Sequence, residues 1–83
     1  MNIATLEKIH ELLKDECEKA QASLATAEKE LERCRKEYRK SADGDARKTA
    51  DAVLTCAEKA YADAVAQRKR AYAARNDFED QEF

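Results

Sequence analysis

Ser41-Ala42-Asp43-Gly44-Asp45 is the one clear break in a chain otherwise written for helix. It holds the single Gly among 83 residues, and the chain has no Pro. Glycine is most needed where a helix closes in the left-handed conformation, so Gly44 predicts the end of one helix. Asp45, or Asp43, can then accept backbone N–H bonds and start the next. Before the break, apolar residues fall on two interleaved sets: Ile3, His10, Cys17, Leu24, Leu31 and Tyr38, and Leu6, Leu13, Ala20, Ala27, Cys34 and Ser41. Alternating steps of three and four keep both sets on one stripe, the pattern that winds helices into a left-handed pair. Asn2 is placed to cap this helix.

After the break the stepping continues through Ala46, Ala50, Val53, Ala57, Ala60, Ala64, Gln67, Ala71, Ala74 and Phe78, nearly all small. Two helices joined by so short a loop run antiparallel. Folding at Gly44 sets Cys34 near Val53, Leu31 near Ala57, Leu24 near Ala64, Cys17 near Ala71 and Leu13 near Ala74. Large residues then face small ones, which lets the backbones approach closely. The expected fold is therefore all-α: a long antiparallel, coiled-coil-like two-helix hairpin with an Ala-rich second helix, open to dimerisation into a four-helix bundle. The boundaries read as one domain over 1–83, with helices over about 2–41 and 46–76 around a turn at 42–45. Each arm spans roughly 50–55 Å. The tail 77–83 carries four acids where a helix dipole prefers cations, so fraying is expected after Arg75 or Asn76.

Composition narrows the class. Charged residues make up 41% and aromatics 6%, yet charges of both signs alternate with regular apolar positions, which favours helix over disorder. A net charge of −2 sets up no global field for nucleic acid or an anionic membrane. No apolar run approaches the roughly 20 residues needed to span a bilayer, and the N-terminus lacks a signal-peptide core. The chain reads as cytoplasmic. Three cysteines (Cys17, Cys34, Cys56) without CxxC spacing fit reduced thiols better than a disulfide framework.

The second helix carries another stripe, Leu54, Tyr61, Val65, Arg68, Tyr72 and Arg75, within an arc of about 80° beside the alanines. Ile9 and Leu12 add apolar surface near the open end of the hairpin. A hairpin cannot bury both seams in itself, so this stripe is the expected partner-binding face. Tyr and Arg suit that role, giving large contact area with directional hydrogen bonds. The bland alternative is that Leu54, Tyr61 and Val65 fill the middle of a homodimeric bundle. Charge is also polarised. Residues 31–50 hold seven Lys/Arg against four Asp/Glu, while 1–20 and 71–83 together hold four against nine. The basic tip (Arg33, Arg35, Lys36, Arg39, Lys40, Arg47, Lys48) is a solvated surface, a secondary electrostatic contact for an acidic surface or phosphate backbone, or one end of a head-to-tail association of rods, positive tip to acidic end.

Chemistry finds little footing. His10 is the single histidine, on a heptad position, with no nucleophile elbow and no glycine-rich phosphate loop. His10 and Cys17 are two turns apart, too far to share an ion, and Cys34 with Cys56 offers only two ligands where structural zinc takes four. No enzyme activity, metal or cofactor is expected. Arg68-Lys69-Arg70 spreads around the helix, and no nucleic-acid-binding signature is present. An alanine face is too weak to insert into a membrane.

In size and composition the chain resembles short, highly charged helical proteins of bacteriophages and mobile elements, including anti-CRISPR inhibitors of host defence. The resemblance rests on no motif. It implies a rod that acts in the host cytoplasm by covering a surface of a larger nuclease or blocking its assembly. The leading expectation is thus a non-enzymatic protein-binding module that covers a surface of a larger partner. A homo-oligomeric coiled-coil assembly protein comes second, and a nucleic-acid-binding accessory protein third.

Overall fold

The computed structural model describes residues 2–82; Met1 and Phe83, the last residue of the acidic tail, lie outside the described residues. Two helices, α1 (Ile3–Lys40) and α2 (Gly44–Glu82), form an antiparallel hairpin, a rod 63 Å long and 14 by 12 Å across. Asn2 caps α1 as expected, its side chain accepting from the Thr5 amide at 2.8 Å.

The turn differs from the sequence reading in one respect. Gly44 has no left-handed backbone and does not close α1; it is the first residue of α2. Ser41 ends α1 instead, in an extended conformation, with its amide donating to Glu37 O and Tyr38 O and its hydroxyl donating to Glu37 O at 2.9 Å. Those bonds satisfy the Glu37 and Tyr38 carbonyls without a left-handed residue. Of the two candidate caps, Asp43 does the work: its Oδ1 accepts from the Ala46 amide at 2.8 Å.

Packing follows the expected register. Cys17 Sγ donates to Ala71 O at 3.4 Å, and the His10 ring stacks on Phe78 with centroids 6.0 Å apart. One heptad from Cys17 and Ala71, the two buried residues Leu24 and Ala64 come level, and a further heptad brings Leu31 level with Ala57. The buried core is narrow: Cys17, Ala20, Leu24, Leu31 and Cys34 from α1, and Ala64 from α2.

The seam of α2 is only half as expected. Ala50, Ala57, Ala64, Ala71 and Phe78 face α1, but Ala46, Val53, Ala60, Gln67 and Ala74 are exposed. Their places are taken by Leu54, Tyr61 and Arg75, all half-buried. The helix is turned by about 50° from the all-alanine seam. That rotation exchanges small or polar side chains for Leu and Tyr, which remove more apolar surface from water. Val53 consequently lies beside Cys34, the two lining one open groove, rather than over it.

The acidic tail is helical through Glu82. His10 Nε2 meets Glu79 Oε1 at 2.9 Å, and Arg75 Nε lies 3.4 Å from the same oxygen. The His10 bond and the Phe78 stack tie the tail to α1, and the Arg75 pair within α2 adds to them; together they offset the unfavourable dipole and explain why α2 does not end at Arg75 or Asn76.

Candidate functional site

The stripe Leu54, Tyr61, Val65, Arg68, Tyr72, Arg75 is divided by the packing. Leu54, Tyr61, Val65, Tyr72 and Arg75 are half-buried and Arg68 is exposed. The stripe is thus shared between the hairpin seam and the surface, and the premise that it is wholly left over is corrected. Its outward remnant is a compact cluster around Tyr72. The guanidinium carbons of Arg68 and Arg75 each lie 5.1 Å from the Tyr72 ring centroid. Spacings of i, i+4 and i, i+3 on a helix bring these three side chains together. Both cations draw on the ring's negative face, and the ring in turn holds them in position. Arg68, Lys69, Tyr72, Ala73 and Asn76 line a shallow depression beside it. Arg75 is anchored from its other side by Glu79, so the cluster connects directly to the clasp at the open end.

That clasp was not legible as a site. Glu79 accepts from His10, and this bond outweighs the opposing effect of burial and, with lesser help from the charges of Arg75, His10 and Lys14, holds its carboxyl below the usual carboxylate range. A signal existed: the antiparallel register places His10 level with Phe78, and Glu79 follows it by one residue.

The basic tip does not form one patch. Arg33 and Lys40 line the groove that holds Cys34 and Val53. Arg35 and Arg39 line a different one with Glu28, Glu32 and Tyr61. Arg47 and Lys48 surround Tyr38, with the Arg47 guanidinium 4.8 Å from that ring centroid. Partial neutralisation is local: Arg33 bonds Glu30 at 2.9 Å and Lys36 pairs with Glu32 at 3.8 Å. The hydrogen bond and charge of Arg33 lower the Glu30 carboxyl, and those of Glu30 raise the Arg33 guanidinium. Both side chains are more than half exposed, so the pair adds little stability.

The opposite long face is built from small residues. Ala22, Ser23, Thr26, Ala27 and Glu30 of α1 meet Ala57, Ala60, Ala64 and Gln67 of α2 along a mid-rod groove. Large apolar side chains exposed among the described residues are Ile3 (73%), Leu12 (57%) and Val53 (46%), none of them in the expected stripe.

Cys17 and Cys34 are buried and Cys56 is exposed; all three are free. Cys56 therefore lies outside the buried seam that holds Cys34. No group of three or more His, Cys, Asp or Glu able to hold a metal ion occurs among the described residues. No helix among them is long and apolar enough to cross a membrane. Comparison with protein-family models, curated proteins and solved structures gives no match.

Proposed function

We propose that this chain is a non-enzymatic protein-binding module that covers a surface of a larger protein, with the Arg68–Tyr72–Arg75 cluster as its principal contact. The observation that carries this reading is the half-buried Tyr72 ring with the guanidinium carbons of exposed Arg68 and half-buried Arg75 each 5.1 Å from its centroid. Cation–π attraction favours these positions of the two guanidinium groups, which lowers the side-chain entropy lost on contact. It combines the two residue types most frequent at binding hot spots, and its charge suits an acidic protein surface. A narrow rod braced at both ends suits steric occlusion. In its most specific form the module is a small phage or mobile-element inhibitor of host defence, anti-CRISPR-like in mechanism, acting in the host cytoplasm. The dispersed basic groups at the tip would then add electrostatic steering rather than a second epitope.

The test is affinity capture from the source cells with the wild-type chain and with Tyr72→Ala, each checked for helicity. A protein held by the wild type and lost with Tyr72→Ala supports the assignment. Retention of the same proteins by a folded Tyr72→Ala chain would sink it.

A homo-oligomeric role is the second reading, favoured by exposed Leu12 and Val53. The third, nucleic-acid binding, is disfavoured by the scatter of the basic residues over different sides of the tip.

A further inference from the structure

On the face opposite the tyrosine cluster, we infer that a second copy of the chain docks side by side and antiparallel, about a twofold axis near the middle of the rod. On α1 this face steps through Leu12, Glu16, Lys19, Ser23, Thr26, Glu30 and Arg33, alternate intervals of four and three that keep one stripe. The stripe is self-complementary when reversed. With the axis between Ser23 and Thr26, Glu16 of one copy comes level with Arg33 of the second copy. Lys19 likewise comes level with Glu30, and Ser23 with Thr26. Both acids of the stripe, Glu16 and Glu30, face a base of the second copy. A parallel pair would set Glu16 against Glu16 and Lys19 against Lys19, which charge repulsion opposes. The antiparallel arrangement also lays the basic turn region, 31–50, along the acidic open end.

Shape points the same way. The axis crosses the groove lined by Ala22, Ala57, Ala60 and Ala64, where small side chains let another backbone come close. The Thr26 hydroxyl donates to Ala22 O at 3.1 Å, so its hydrogen is satisfied within α1. Leu12 is as far from the axis as Glu37 is on the other side, and Glu37 lines the tip groove, whose floor of Cys34, Ala46, Ala50 and Val53 is rimmed by Arg33, Lys40, Ser41 and Thr49. Exposed Leu12 of each copy therefore reaches the apolar groove beside exposed Val53 of the other. A rod 63 Å by 14 Å offers a footprint on the order of the 800 Å² per partner of a stable interface. Isologous pairing of this kind closes on itself and leaves the Tyr72 cluster on the outside.

Sedimentation equilibrium over a concentration series, under reducing conditions, tests this. The wild-type mass should be twice the 9.4 kDa of one chain. Leu12→Glu should weaken the dimer about tenfold or more, while helicity persists because Leu12 is a surface residue of the hairpin. Glu16→Lys and Arg33→Glu should each weaken it about three- to tenfold, and the double variant should restore it. Tyr72→Ala should leave the mass unchanged, which separates this surface from the proposed partner contact. A wild-type mass of one chain throughout, a dimer indifferent to Leu12→Glu, or absence of rescue in the double charge swap would each overturn the proposal.

Discussion

The two helices are nearly equal in length, yet they contribute unequally to the fold. Among the described residues α1 supplies five of the six that are buried, two of them Leu; α2 supplies Ala64. Large side chains on one helix and small ones on the other let the axes close up, but leave a core one residue wide. Stability is then concentrated in a few α1 positions, while α2 is free to carry aromatic and charged groups outward. The difference teaches that α1 sets the register and α2 carries most of the surface available for recognition.

The sharpest challenge to that division is truncation of an α1 knob. Leu24→Ala should destabilise the hairpin by about 2–5 kcal/mol, read from urea unfolding, because the site cannot collapse onto Ala64. The reciprocal change asks whether α2 must stay small. Ala64→Leu should cost about 1–3 kcal/mol through overpacking; a neutral result would mean the helices are not held close by the alanines.

The α1 knobs and the small α2 residues they face were largely legible in the sequence. The heptad of Cys17, Leu24, Leu31 and Cys34 is strict, and its partners Ala64 and Ala71 follow from a short turn alone. The rotation of α2 was not legible. Val53, Ala60 and Gln67 satisfy the same periodicity as Leu54 and Tyr61, and only packing area decides between them. The tyrosine cluster could be named residue by residue, but not its partial burial. The clasp of His10, Phe78 and Glu79 depended on a contact between the two ends of the chain, which local dipole rules cannot anticipate.

Smaller effects refine the contrast at the two ends of α2. Gly44 has an ordinary backbone, and an added Cβ would meet nothing within 4 Å. Gly44→Ala should therefore stabilise the hairpin by about 0.5 kcal/mol, where a left-handed glycine would make the same change destabilising. At the other end, the Glu79 carboxyl is lowered in the folded chain. Its contribution is present above the ordinary carboxylate range and is lost as pH falls through that range and below. Acidification below about pH 4 should loosen the last turns of α2, seen as faster amide exchange there than at Leu24 or Leu31. Glu79→Gln should loosen the same turns at neutral pH and flatten their local pH dependence.

The central structural claim is that the chain folds back on itself at 41–43, and small-angle X-ray scattering tests it most directly. A hairpin, alone or paired antiparallel with a second copy, should have a maximum dimension close to the 63 Å of the rod plus its side chains. An unbroken helix pairing between chains through the same heptads would measure roughly 120 Å, and that result would contradict the fold and the surfaces derived from it.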